Sequence, residues 1–431
     1  MSGSATRDPS ADVARLSPHL DRAVPISLRE HRAAFPPPST AHRASSRAEL
    51  IDAIDAAGLR GRGGAAFPTA VKMRAVGGGK RRPVVVVNGS EGEPASEKDR
   101  VLMTLGPHLV LDGAELAAAA VDADEVIVGV DAAAPRARRS IEAAVGERSA
   151  VARRGVSVRV VPIPTGYVAG EERSLVHLLN GGPAIPTSGP RPFVRGVRGR
   201  PTLIQNVETL GHLALINAFG PTWFRSIGPD EMPGSMLVTV SGGVAHPGVY
   251  EIEVGAKIGD VMRGAGGAPR GVGGVLVGGY SGTWLAAEIA ATVPLQPSGL
   301  AAVGGIVGAG VIAVVPEDAC GWTETANVLR WLAGQTAGQC GPCVHGLAAI
   351  AGAAEQVVTG RGGDATFGRL NRWAADVRGR GACALPDGAV RFLQSALEVF
   401  GADVRAHLHG RRCAGSREPR ILPVPEPGKA A

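Results

Sequence analysis

Four consecutive valines, Val84 to Val87, preceded by Pro83 and followed by Asn88-Gly-Ser-Glu91-Gly-Glu93-Pro94, do most to limit what this chain can fold into. A β-branched run without alternation has no side to turn to water, so it predicts a strand buried on both faces, as in parallel sheets. The segments that follow keep a regular rhythm. Pro107 to Val121 reads as an Ala- and Leu-rich helix, Glu125 to Val130 as a second strand, Ala132 to Val145 as a helix and Val156 to Val161 as a third strand. This alternation predicts an α/β fold with a doubly wound sheet, and polar residues at a strand's C-terminal end stand where such sheets take ligands.

Ahead of the valines lies Gly58-Leu-Arg-Gly61-Arg62-Gly-Gly64-Ala-Ala-Phe67-Pro-Thr-Ala-Val-Lys72. Its glycines let backbone N–H groups come close to an anion, and Arg60, Arg62 and Lys72 supply positive charge. The stretch reads as a phosphate cradle, with an ordinary flexible loop as the competing reading. Ser46, followed three residues later by Glu49, predicts a capped helix running to Ala57, and Phe67 to Arg74 a second helix. Farther on, Pro164-Thr-Gly-Tyr167-Val-Ala-Gly170-Glu171-Glu172 sets paired carboxylates before a helix opening at Ser174, where they suit the helix dipole as caps or as a site. Gln205 and Asn206 precede a helix running through Ala218 and can bond a flavin or ribose, or cap the helix.

The length of 431 residues suggests two to four domains. Short strand-like pieces after Asp230 predict a compact β-rich module, and helical spacing dominates from Thr323 to about His407. The boundaries read as 1–48 for an N-terminal extension, 49–230 for the α/β domain, 231–300 for the β-rich module, 315–412 for a helical domain and 413–431 for a loose tail. A net charge of +6 and a pI near 9.4 raise nucleic acid as a partner, but the arginines are scattered and aromatics make up only 4%. That pattern argues against nucleic acid and suits an anionic cofactor or an acidic protein equally well. The N-terminus lacks a signal-peptide pattern, and the longest uncharged stretch, about 290–316, is broken by Pro and Gly and reads as buried strand and loop. A cytoplasmic protein without direct membrane insertion is the expectation.

Five cysteines, clustered late, do not form a secreted disulfide framework. Gln339-Cys340-Gly-Pro-Cys343 and Gly381-Ala-Cys383 put three soft ligands in one segment. An iron–sulfur cluster ranks first, since structural zinc wants a fourth ligand. A thioredoxin-like dithiol, which needs a preceding strand, ranks second and inert thiols third. Cys320 and Cys413 read as plain cysteines, either of which could move in as a ligand.

Five segments then follow one another in a meaningful order: Gly61-Arg-Gly-Gly-Ala-Ala-Phe-Pro68, Glu91-Gly-Glu-Pro94 with Lys98-Asp-Arg100, Gly170-Glu-Glu172, Asn206-Val-Glu-Thr-Leu210 and Cys340-Gly-Pro-Cys343. From about Leu50 to Phe400 the chain resembles the NADH-binding flavoprotein subunit of respiratory complex I and its relatives, the diaphorase subunits of NAD-linked hydrogenases and formate dehydrogenases. The resemblance implies a Rossmann-like FMN-binding domain, then a β-grasp module of the SLBB type, then a C-terminal four-helix domain ligating a 4Fe–4S cluster. It implies that Gly61, Arg62, Gly64, Lys72, Asn88, Glu91, Gly170, Glu171 and Asn206 line FMN. Phe67, Glu93, Tyr167 and Glu172 would line the NADH side, with Glu93 repelling the extra phosphate of NADPH, and Cys340, Cys343 and Cys383 would hold the cluster.

The activity so implied is that of an NADH dehydrogenase, in which hydride passes from NADH to FMN without a catalytic side chain. Electrons would leave through the cluster to ferredoxin-like or thioredoxin-like iron–sulfur subunits or a quinone-reducing partner, in the cytoplasm or peripheral to a membrane complex. This chain departs from the family at several points. Ala337 replaces the first of four expected cysteines, Ser90 replaces a flavin-contacting Asp, Gln205 one of two tandem amides, and Ala75 and Arg191 two rings that sandwich the adenine. Two other readings stand beside the first: a degenerate paralogue acting as a scaffold subunit, or an FMN electron-transfer protein that does not use NADH.

Overall fold

Ser27 and Ser46 end extended segments and start α1 (Leu28–Ala34) and α2 (Arg47–Ala57), their hydroxyl oxygens accepting from the N–H of Glu30 and Glu49. In the computed structural model, residues 14–16, 20, 22–35, 46–76, 81–151, 156–410 and 420–425 are described. Gly58 closes α2 in the left-handed region at φ +68°, so the first glycine of the Gly-rich stretch is a helix cap rather than part of a cradle. The chain then forms α3 (Thr69–Val76), β1 (Val84–Gly89), α4 (Lys98–Leu105), α5 (Pro107–Val121), β2 (Glu125–Asp131), α6 (Pro135–Val151), β3 (Ser157–Ile163) and α7 (Glu172–Leu179). A fourth strand, β4 (Thr202–Asn206), leads into α8 (Val207–Phe219) and the short α9 (Pro221–Phe224).

The sheet runs β3-β2-β1-β4, every neighbour parallel. All four valines of β1 are fully buried. Val85 and Val87 join one core with residues of α5 and α8, while Val84 and Val86 join another with Leu175 of α7, Val197 and Ile204. Two apolar layers explain why the run lacks alternation.

A second sheet follows, built from β5 (Ser235–Gly242), β6 (Gly248–Glu253), α10 (Ile258–Gly264), β7 (Gly274–Val277), β8 (Thr283–Leu285), α11 (Ala287–Thr292), α12 (Pro297–Ala301) and β9 (Val311–Val315). Its order is β6-β5-β9-β7-β8, with β9 parallel to β5 and antiparallel to β7. The strand nearest the end of the segment therefore fills the middle of the sheet. A boundary at 300 would cut that strand away, so the module extends to Val315.

The last part consists of α13 (Gly321–Gly334), a π-helical turn at Pro342–Leu347, α14 (Ala348–Val358), α15 (Asp364–Val377), α16 (Leu385–Val399) and the short α17 (Gly401–Leu408). Trp284 of β8 packs edge-on against Phe400 at 4.9 Å and lies 5.7 Å from Phe392, so module and helices share one core.

Neither end behaves as a detached segment where it is described. The Arg15 guanidinium donates to Phe224 O at 2.8 Å and stacks over the Trp223 ring at 4.2 Å, and Leu16 is fully buried. Within the expected loose tail, Ile421 and Leu422 N–H groups donate to the Glu324 carboxylate and Leu422 is buried, so 420–425 is docked. Among the described residues no helix is long and apolar enough to cross a membrane.

Candidate functional site

Chain order sends β2 and β3 to one side of β1 and β4 to the other, which makes the C-terminal edge of β1 and β4 a topological switch point. There Asn88 lies in register with Asn206. The Gly-rich stretch folds into a closed loop above this edge, with Gly61 N–H donating to Phe67 O and Thr69 N–H to Leu59 O, both at 2.9 Å. At Gly63 a Cβ would come within 3.2 Å of the Asn206 Cβ, and Gly64, at φ +105°, packs against Gly308. These glycines let backbone lie directly on the strand ends.

Several predicted residues converge on this crevice. Lys72 Nζ donates to Ile204 O at 2.6 Å and pairs with Glu172, which is half exposed at the crevice side of α7. Asn88 Nδ2 donates to Gly170 O at 2.9 Å, and Gly170 in turn lies so close to Ser90 that a Cβ would sit 3.1 Å from its hydroxyl. Glu171 caps α7, accepting from Arg173 and Ser174 N–H groups. Asn206 caps α8 with its carbonyl oxygen and donates to Asp99 at 2.6 Å. Glu91 accepts from Ser96, Asp99 and Arg100 at the start of α4, and burial, then Asp99, raises its pKa. Phe67 is half exposed. Two polar groups at this edge have no hydrogen-bond partner among the described residues, Ser90 Oγ and Gln205 Nε2. Buried polar atoms seldom stay unpaired without a reason, and a polar ring system or phosphate would satisfy both.

Arg62 departs from expectation. Its side chain is buried, donates to Pro233 O at 2.8 Å and faces Glu208 at 4.0 Å, while burial lowers its pKa to about 10. It braces the α/β domain against the second sheet and offers no charge to the crevice. Arg60 is likewise tied to the carbonyls of Glu231 and Ala66. Of the three cations expected in the cradle, only Lys72 faces it. Beneath it lies a buried network in which Lys98 pairs with Asp99 at 2.8 Å and Glu208 at 2.9 Å. Burial acts against the Lys98 charge, yet the two carboxylates hold its pKa raised.

Glu93 and Tyr167 turn toward the second sheet and the helices. Glu93 is buried, accepting from Tyr280 N–H at 2.7 Å and Ala95 N–H at 3.2 Å, and burial lifts its pKa to about 7. Burial thus works against the ionised carboxylate that NADPH exclusion by Glu93 would use. The Tyr167 hydroxyl bonds Ser281 at 2.6 Å, its backbone N–H donates to Gln335, and its ring meets Trp331 edge-on.

Gln335 leads straight to the thiols. Cys340, Cys343 and Cys383 line one small cavity together with Ala337, and Pro186 from the loop after α7 closes it. Cys343 sits in the π-helical turn, and burial, then the two neighbouring thiols, pushes its pKa up to about 12. Burial, then Cys340 and the Glu171 carboxylate, raises Cys383 as well, so the thiol cavity and the crevice are neighbours. Among the described residues no group of three or more His, Cys, Asp or Glu is arranged to hold a single metal ion. The segment before the pair is the helix α13, so the dithiol reading lacks the strand it needs. Three sulfur donors around a cavity fit a multi-iron group, whose positive charge would offset the cost of ionising them.

Sequence reasoning missed β4, the Lys98–Glu208 pair, Gln335 and the Gly279-Tyr280-Ser281 turn. The signals were there as Thr-Leu-Ile-Gln before a capped helix and a Gly-Gly pair ending β7. A separate cavity of about 340 Å³ lies along α7, lined by Arg173, His177, Arg195 and Arg198. None of the predicted site residues lines it.

Residues 54–214 match the family described as the Nuo51 FMN-binding domain, and residues 323–407 the NADH-ubiquinone oxidoreductase-F iron-sulfur binding region. The chain is 32% identical over 379 residues to an NADH-quinone oxidoreductase subunit of the F type from Rhizobium meliloti, covering 85% of this chain and 90% of that protein. It is 28% identical to the NADP-reducing hydrogenase subunit HndC of Solidesulfovibrio fructosivorans, over 85% of this chain and 77% of that one. Among solved structures it resembles a chain of the NAD+-reducing [NiFe]-hydrogenase in the H2-reduced state, with a TM-score of 0.78 and 31% identity. The match covers 84% of this chain and 63% of the hydrogenase chain, so this protein spans under two thirds of that relative. With fold, crevice and thiol cavity in agreement with these likenesses, the chain belongs to the family of F-type subunits of NADH-quinone oxidoreductase, the FMN- and iron–sulfur-containing oxidoreductases.

Proposed function

We propose that the β1–β4 crevice holds FMN and takes hydride from NADH, and that electrons leave through a 4Fe–4S cluster on Cys340, Cys343 and Cys383. The observation that carries the reading is the pair of unsatisfied groups, Ser90 Oγ and Gln205 Nε2, at the switch point beneath the glycine loop. FMN, when bound, supplies the ring that accepts hydride and releases electrons one at a time.

The chain's own residues place and enclose it. Gly61 and Gly64 give close backbone approach, Gly170 keeps the Ser90 side open, and Lys72 brings positive charge to an anionic cofactor. Asn88, Asn206, Glu91 and Glu171 act from behind, fixing Gly170 O and the starts of α8, α4 and α7. Phe67 and Glu172, the exposed members of the set, face the incoming dinucleotide, with Tyr167 and Glu93 closing the far wall. Glu171 lies close enough to Cys383 to influence its thiol, which gives electrons a short way out. The onward acceptor is a ferredoxin-like or thioredoxin-like iron–sulfur subunit, or a quinone-reducing partner.

Protein purified without oxygen should be yellow-brown and lose its flavin absorbance on adding NADH. In Lys72→Ala the loss of one charge-assisted contact should weaken FMN binding by roughly 10–100-fold, read by titrating FMN into the stripped protein. Native protein that stays colourless after reconstitution refutes the reading.

Glu93 makes a second prediction. With a folded pKa raised to about 7, it is mostly neutral at pH 6 and mostly charged at pH 8. The preference for NADH over NADPH in kcat/KM should therefore grow as pH rises across that window, and Glu93→Gln should flatten the profile at its low-pH value. Stability runs the other way: with its pKa raised by burial, the protonated carboxyl favours the fold, and its contribution falls away as pH rises from the unfolded value through 7. A native profile independent of pH would remove Glu93 from specificity.

A further inference from the structure

The thiol cavity supplies three cysteines where a cubane cluster has four irons. Its remaining walls, Pro186, Thr336, Ala337, Gln339, Ala382 and Leu385, include no further thiol, imidazole or carboxylate. Ala337 puts a methyl group where the wall could have offered a fourth sulfur. Among the described residues no other cysteine and no histidine lines the cavity. Cys320 caps the opposite end of α13, with its sulfur accepting from Thr323 N–H at 3.3 Å and lying 3.4 Å from His407 Nε2. Fourteen helical residues, about 21 Å, separate it from the loop that carries Ala337. His345 follows Cys343 by two residues but is exposed and does not line the cavity.

Cys413 lies outside the described residues. Its nearest described neighbour upstream, Gly410, packs against Gly360 beyond the far end of α14. That helix alone is about 16 Å long, whereas three residues of chain reach at most about 11 Å.

We propose that this protein holds its 4Fe–4S cluster by three thiolates only, leaving one iron with no protein ligand, so that this iron is exchangeable and is the first to be lost on oxidation. The proposal rests on the reading of Cys340, Cys343 and Cys383 as the cluster site. The open iron takes water, hydroxide or a small added thiol as its fourth ligand. Oxidation by ferricyanide balances as [4Fe–4S]2+ giving [3Fe–4S]+, one Fe2+ and one electron, with the electron reducing ferricyanide to ferrocyanide. The three remaining irons keep one cysteine each, and no protein bond is broken.

The test uses full-length protein purified anaerobically, its iron and sulfide counted, then treated with stoichiometric ferricyanide. EPR should show the signal of an oxidised three-iron cluster, with one ferrous ion per cluster captured by a chromogenic chelator. Added Fe2+ and a reductant should restore the four-iron spectrum. Ala337→Cys supplies the missing sulfur and should keep all four irons under the same treatment, with the three-iron signal falling to background. Cys320→Ser, His345→Ala and Cys413→Ser should behave as native protein. A native cluster that keeps four irons, or one that becomes labile only when Cys320, His345 or Cys413 is replaced, overturns the proposal while leaving the cluster reading intact. Absence of iron and sulfide from both native and Ala337→Cys protein overturns the cluster reading and the proposal together.

Discussion

Lys98→Ala should lose about 3–5 kcal/mol of stability, because it strips the shared cation from Asp99 and Glu208 and leaves two carboxylates facing each other out of water. Lys98, Asp99 and Glu208 are almost wholly buried. Burial alone would raise the Glu208 pKa, and it is the Lys98 ammonium, then His212 and Arg62, that holds it down to about 2. Removing Lys98 should lift both acids, so the variant's deficit should shrink as pH falls and the carboxyls protonate. Chemical unfolding at pH 7.5 and pH 5.5 measures the change. The double variant Lys98→Met with Glu208→Gln should recover only part of the loss: it removes the repulsion between the two carboxylates, but buried Asp99 keeps only its hydrogen bond from Asn206 and buried Arg62 loses the carboxylate it faces. A single variant within about 0.5 kcal/mol of native, the range of ordinary surface changes, would show the network to be dispensable. The network also joins Asn206 through Asp99, so its loss should loosen the α8 cap beneath the crevice and weaken FMN binding along with the fold.

Gly113→Ala is expected to cost about 3 kcal/mol, at the upper end of overpacking penalties. Gly113 lies in the middle of α5 where it crosses α8, and a Cβ there would stand 1.9 Å from Leu210 O. The obstacle is backbone, which cannot swing aside as a side chain can. To accept the methyl group the two helices must separate, and both pack on the strands that form the crevice. Thermal unfolding should report the change, and Gly146→Ala on α6, with nothing within 4 Å, serves as the neutral or stabilising control. Equal melting of the two variants would contradict the close crossing.

Local pattern alone accounts for much of the fold. The unalternating valines could only be a strand covered on both faces, and β1 is covered by two separate cores. Pro107 to Val121 is the helix α5 to the residue, because Pro suits the first turn and Asp122 leaves helical geometry at φ +60°. Ser46, Glu171 and Asn206 each cap the helix expected after them. β4 is not legible locally, being five residues that show strand character only once paired with β1. The extent of the second sheet is hidden from local pattern for a related reason. β9 lies far along the chain from β5, and only pairing reveals that it belongs between β5 and β7.

The amino-acid order by itself determined most of the helices and strands, the glycine loop, the carboxylates and amides of the crevice, and the spacing of the late cysteines. These follow from side-chain shape, periodicity and backbone freedom over a few residues. Tertiary structure alone decided what each charged or thiol group does. It turned Arg62 inward against Pro233, paired Lys98 with Glu208 more than a hundred residues away, raised the Glu93 pKa by burial, and walled three thiols in with Ala337. The physical reason is that charge state and coordination depend on distance and dielectric, and both are set by which distant segments pack together.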